Sequence, residues 1–210
     1  MTSSKLRRWE AALFLAFGLT LAAGAWACAG ESALAEQVLR LHVVANSDTD
    51  ADQALKLLAR DAVLARAAEL LDGAGTRQDA EAALAGHLDS LAQAASAALA
   101  AEGCGDSVSV SITDEWFPTK AYGAFSLPAG RYRALRVVIG EGAGHNWWCV
   151  VFPPLCLGSV TEEGVEAAAE GVLTDGQVAL ITGQDGGYVL KFRLMEWWGE
   201  LARSLGVRPG

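Results

Sequence analysis

A chain of 210 residues can bury a sizeable core and is of ordinary size for one folded unit. Its 16 Lys and Arg against 25 Asp and Glu leave a formal charge of −9. That balance argues against a nucleic-acid partner, because phosphate binding needs clustered cations that displace counterions.

The N-terminus reads as an export signal. Lys5, Arg7 and Arg8 precede an apolar run from Ala11 to Trp26, and Ala25-Trp26-Ala27 offers small residues at cleavage-site spacing. The run is shorter than the ~20 residues of a comfortable membrane span. Residues 1–29 are therefore expected to be a signal peptide or an uncleaved membrane anchor, and 30–210 a single exported domain. Cys28 allows another reading of the junction, a lipid-modified cysteine, although bulky Trp26 suits that signal poorly. Cleavage after Ala27 removes Lys5, Arg7, Arg8 and Glu10, leaving 13 basic against 24 acidic side chains, a balance of −11.

Residues 38–45, rich in Val and Leu and followed by Asn46-Ser47-Asp48, predict a buried strand ending in a polar turn. Asp50-x-x-Gln53 has the form of a capping box, and Leu55, Leu58, Ala62 and Ala65 recur at helical spacing, predicting a helix over 51–71. Thr76 with Asp79 opens a second, Ala-rich helix whose stripe runs through Ala80, Leu84, Leu88, Leu91, Ala95 and Ala98 to Gly103. His87 shares that stripe and reads as a core-edge histidine. Ser107 to Thr113 alternates polar and apolar, the pattern of a half-buried strand. Arg131 to Ile139 alternates again, Gly140 to Gly144 supplies a turn, and Trp147 to Phe152 returns, which predicts a hairpin covered on both faces and stopped by Pro153-Pro154. Beyond Val160 the pattern suggests a short helix carrying Glu162, Glu163, Glu166 and Glu170. A strand over 188–192 and a closing amphipathic helix with Leu194, Trp198, Leu201 and Leu205 complete the chain. The fold class expected is α+β, an antiparallel sheet with helices packed against it.

Several apparent sites dissolve on inspection. Gly140-Glu141-Gly142-Ala143-Gly144 lacks the G-x-G-x-x-G spacing and the Lys-Ser/Thr of phosphate loops. Asp48, Asp50 and Asp52 imitate a calcium loop, but Gln53 replaces the turn Gly and Ala59 the bidentate Glu. His145 and Cys149 lie about 13 Å apart in an extended strand, too far for a nucleophile and base. No C-x-x-C spacing supports zinc, and no cofactor or metal is expected. Outside the cytosol, Cys149 and Cys156 are the natural disulfide pair, while Cys104 has no obvious partner. Arg40 and His42 share one strand face inside an apolar stretch. If buried they need a polar network, for which Asp48 and Asp61 are the carboxylates at hand. Trp147 and Trp148 must point to opposite faces, so one packs in a core and the other either packs under a helix or serves as an aromatic anchor.

Three blocks carry a family resemblance: Leu39-Arg40-Leu41-His42-Val43-Val44-Ala45-Asn46-Ser47-Asp48, Tyr122-Gly123-Ala124-Phe125, and Gly144-His145-Asn146-Trp147-Trp148-Cys149 with the preceding Leu135-Arg136-Val137-Val138-Ile139-Gly140. With them the chain resembles stage II sporulation protein R over 38–61 and 119–157, more weakly elsewhere. The resemblance implies a non-enzymatic signal made in the forespore and exported into the space between forespore and mother-cell membranes. There it triggers a membrane-embedded aspartic protease that processes the sigma-E precursor. The residues expected to meet that partner are Asn46, Asp48, His145, Asn146 and Trp147, at strand ends and turns where a rigid sheet can present them. Two other classes compete: an exported thiol- or metal-dependent hydrolase using His42, His145 and Cys149, and an envelope scaffold without a protease partner.

Overall fold

A computed structural model of the chain describes residues 9–18, 33–155 and 162–183. Two compact units are distinguished, Met1–Leu34 and Ala35–Gly210. In the first, residues 9–18 are helical, with Trp9, Leu13, Phe14, Leu15 and Phe17 exposed. Among the described residues no helix is long and apolar enough to cross a membrane. Cys28 and the expected cleavage site lie outside the described residues.

The second unit opens with β1, Leu39–Val44, buried at all six positions. Helices α1 (Asp50–Leu70), α2 (Arg77–Ala85) and α3 (Leu88–Ala101) follow. Thr49 caps α1, its hydroxyl accepting from the Asp52 amide, while Gln53 reaches back to the Ser47 carbonyl. The cap thus falls one residue before the predicted Asp50, because Thr49 holds the extended backbone a cap needs. The single long second helix is also corrected. Gly86 ends α2, and His87 takes the N-cap position of α3, exposed, with its ring nitrogen on the Ala83 carbonyl rather than at a core edge.

Strand β2 (Val108–Phe117) pairs antiparallel with β5 (Gly130–Ile139), and between them β3 (Lys120–Ala121) and β4 (Ser126–Leu127) form a small hairpin. The last strand among the described residues, β6, spans Asn146–Phe152. The four-stranded sheet has the order β2-β5-β1-β6. Two expectations are corrected by it. The sheet is mixed, because β1 runs parallel to β5, and β5 and β6 are not a hairpin, because β1 lies between them. A strand buried along its whole length needs neighbours on both edges and cover on both faces, so β1 takes an inner place and the glycine turn must arch over its end.

One face of the sheet carries the helices. Leu39, Leu41 and Val43 of β1, Leu135, Val137 and Ile139 of β5, and Cys149 and Val151 of β6 pack against Ala59, Val63, Ala67, Leu84, Leu91, Ala95 and Leu99. The alanines let helix backbones approach the sheet closely, the density that interiors require. After β6 come α4 (Glu162–Ala169), the acidic helix expected, and α5 (Asp175–Thr182), which starts with a Thr174–Gln177 capping box. The expected strand over 188–192 and the closing helix lie outside the described residues.

Candidate functional site

The end of the sheet where β1 exits gathers segments about a hundred residues apart. Asn46 leaves β1 with its Oδ1 accepting from the Glu141 amide at 2.9 Å and its Nδ2 donating to Asp52 Oδ2 at 3.1 Å. The Ala143 and Gly144 amides donate to the Asn46 and Ala45 carbonyls. Gly140 (φ +55) sits where a Cβ would run into the Asn46 side chain, and a Cβ on Gly144 would meet the Ser47 carbonyl. Glycine is required at both, so the loop is an arch pressed onto the β1 exit.

Asp48 Oδ1 accepts from the His145 amide at 2.6 Å and lies 2.6 Å from His145 Nδ1, with both side chains exposed. Beneath them Lys56, 4% exposed, donates to Gln53 Oε1 at 2.5 Å and to the His145 carbonyl at 3.0 Å. Burial lowers its pKa, opposed by the Asp48 charge and aided by Arg60. Asp52 accepts from Ser47 Oγ at 2.5 Å and from Asn46, and the Ser47 bond first of all holds its carboxyl below the ordinary range.

On the helix side, Trp147 is 37% exposed and Arg60 of α1 lies over its ring at 4.5 Å. Trp148 points to the opposite face, half-buried beside His42, Phe117 and Lys120. Asn146 joins the two regions, its Oδ1 2.9 Å from His42 Nε2. The five residues expected to face a partner, Asn46, Asp48, His145, Asn146 and Trp147, therefore occupy one rim. Asn46 serves the rim as a clamp, whereas Asp48, His145 and Trp147 present their side chains to solvent.

The predicted polar pair on β1 is present, with different partners. His42 Nδ1 lies 2.5 Å from Glu115 Oε2, and since a carboxylate only accepts, Nδ1 carries the hydrogen. Glu115 also accepts from Arg136 Nη1 at 3.1 Å and Thr113 Oγ1 at 3.0 Å. Asp61 is not in this network. It pairs with Arg60 on α1, on the helix side, while Arg40 and His42 face away from the helices. Asp48 is taken by His145. Sequence reading missed Glu115, although the phase of Ser109, Ser111 and Thr113 carried two residues further puts it on the His42 face. Lys56 and Tyr122 gave no such signal, since only packing brings them in.

Arg40 is fully buried below His42. Its Nε donates to the Cys149 carbonyl at 2.9 Å and one Nη to Tyr122 Oη at 2.7 Å, and its guanidinium lies 4.3 Å from the Phe117 ring centre and 4.9 Å from that of Tyr132. The other Nη has no hydrogen-bond partner. Burial lowers the Arg40 pKa and the tyrosines oppose that, while burial raises Tyr122.

The hydrolase grouping of His42, His145 and Cys149 is not assembled. Cys149 packs in the helix-side core and is disulfide-bonded, whereas His42 lies on the other face and His145 is at the rim. A thiol tied in a disulfide is no nucleophile. The expected partner of Cys149, Cys156, lies outside the described residues, and Cys104 is a free, half-buried thiol. Among the described residues no group of three His, Cys, Asp or Glu could hold a metal ion.

Comparison with known proteins places these features in a lineage. A family model described as stage II sporulation protein R matches residues 35–162, which span the whole sheet, the rim and the Arg40 cage. Over 183 residues the chain is 33% identical to the stage II sporulation protein R of Bacillus subtilis (strain 168), covering 79% of this chain and 82% of that one. No solved structure matches.

Proposed function

Because the chain belongs to the stage II sporulation protein R family and so to a sporulation protein lineage, we propose that it is an exported signal. It passes from the forespore into the space between the two sporulation membranes, binds the exposed part of a membrane-embedded aspartic protease and favours its active arrangement. Processing of the sigma-E precursor follows. A ligand shifts such an equilibrium only by binding one state better, so the signal needs a preformed surface and no chemistry of its own.

The observation that carries this reading is the rim. Exposed Asp48, His145 and Trp147 are held in one place by the Asn46 clamp and by Lys56, a pre-ordered polar patch with an aromatic anchor. Pre-ordering lowers the entropy lost on docking, and exposed Trp and Arg are residues that dominate binding energy. The test is co-production of the chain with the protease and the sigma-E precursor in a heterologous host. Trp147→Ala should weaken binding by about 2 kcal/mol, roughly 30-fold in affinity, and reduce precursor cleavage while circular dichroism stays unchanged. Full cleavage with Trp147, Asp48 and His145 all replaced by Ala in a folded product would remove the rim from the reading.

A further inference from the structure

Among the described residues, strand β2 lies at the sheet edge and pairs on one side only, with β5. The Gly140 amide donates to the Ser107 carbonyl at 2.8 Å, and the unbroken register carries that phase along the strand. Odd-numbered residues of β2 therefore bond to β5, and the peptide groups of Val108, Val110, Ile112, Asp114 and Trp116 point away from the sheet. None of these outward groups is hydrogen-bonded among the described residues. The strand is 10 residues long and has no Pro, Lys or bulge to blunt its edge, and its two charges are engaged within the sheet, Asp114 by Arg133 and Glu115 by His42 and Arg136. Its helix-side chains, Val108, Val110 and Ile112, touch the core but stay half-buried, and Trp116 is 39% exposed.

We propose that this edge joins two copies of the chain, their β2 strands pairing antiparallel about a two-fold axis through Ile112. Outward residues must face outward residues, and this centring sets Val108 opposite Trp116, Val110 opposite Asp114 and Ser109 opposite Glu115. The exposed indole then covers the half-buried Val108 of the second copy. No carboxylate faces another, and Asp114 is already held by Arg133 at 3.1 Å. The interface is self-complementary, as a two-fold contact requires. Two copies of charge −9 repel at longer range, so the dimer is strengthened by added salt.

The experiment is sedimentation velocity of the full chain across concentration and salt, with cysteine crosslinking. Dimer is expected to grow with both variables. Val110→Pro removes one outward N–H per copy without touching the β5 ladder and should weaken association about tenfold or more. In a Cys104→Ser background, Ile112→Cys should crosslink on mild oxidation well above the parent, and Ser109→Cys, facing Glu115, should not. A monomer at all concentrations, or equal crosslinking of the two cysteine variants, overturns the proposal. So does a Val110→Pro chain that stays as dimeric as the parent. A monomer whose Val110→Pro variant loses signalling assigns the edge to another protein's strand and likewise rejects self-pairing.

Discussion

Asn46 Oδ1 accepts from the amide of Glu141 at 2.9 Å, tying the exit of β1 to the arch that joins β5 to β6. The bond pins the connection from β5 to β6 where it crosses the end of β1, so it reports on the whole rim. Asn46→Ala should cost about 0.5–1.5 kcal/mol, since the Glu141 amide and the Asp52 carboxylate each lose a hydrogen-bond partner that water can replace in part. Gly140→Ala should cost more, because the added methyl meets the Asn46 side chain at a positive φ. Urea unfolding of both variants checks the order.

The Arg40 cage separates charge from shape. Arg40→Met keeps the volume and removes a buried cation with an unpartnered Nη, which offsets the donor lost to the Cys149 carbonyl and the Tyr122 hydroxyl, so stability should fall by less than about 1.5 kcal/mol. Tyr122→Phe should instead destabilise by about 1–3 kcal/mol, leaving a second buried Nη without an acceptor. Thermal unfolding of the two variants side by side distinguishes them.

When neutral, His42 should show the Nδ1–H tautomer, because the Glu115 carboxylate is the stronger acceptor, with the Asn146 amide turned so that its Nδ2 donates to Nε2. Long-range proton–nitrogen correlation spectra read this directly. Glu115→Ala should cost about 2 kcal/mol by removing a charged acceptor shared by His42, Arg136 and Thr113.

Glu81 gives a pH signature. Arg133 first, by its hydrogen bond, and then Arg77 hold the Glu81 carboxyl below the ordinary range. A depressed folded-state pKa contributes stability above the unfolded-state value, and that contribution is lost as the pH falls through the folded-state value. The melting temperature of the parent should therefore drop more steeply than that of Glu81→Gln as the pH falls below the carboxylate range. Parallel curves for the two proteins would show that Glu81 contributes no such linkage.

Much of the architecture was legible locally. The Val and Leu run of β1, the helical spacing of α1 and the alternation in β2 and β5 each bury one pattern of side chains that only one backbone form can satisfy. The hairpin reading of 131–152 failed for a physical reason. A glycine turn between two strands looks the same whether the strands pair or leave room for a third, and the choice lies with β1, whose full burial demands an inner place. The long Ala-rich helix failed at Gly86 because alanine favours helix everywhere and so marks no boundary. That Asn46, Asp48, His145, Asn146 and Trp147 lie at strand ends and turns was legible because polar residues there follow directly on the apolar runs of the strands.

The order of residues along the chain by itself determined the kind of each main element, the facing of Arg40 with His42, and the opposed directions of Trp147 and Trp148. These follow from periods of two and 3.6, which act over a few neighbours. Only the tertiary structure decided that β1 runs parallel to β5, that Glu115 rather than Asp61 meets His42, and that Lys56 sits under the His145 carbonyl. Such pairings join residues tens of positions apart, and they arise where buried polar groups must find whichever partner the packed core leaves within reach.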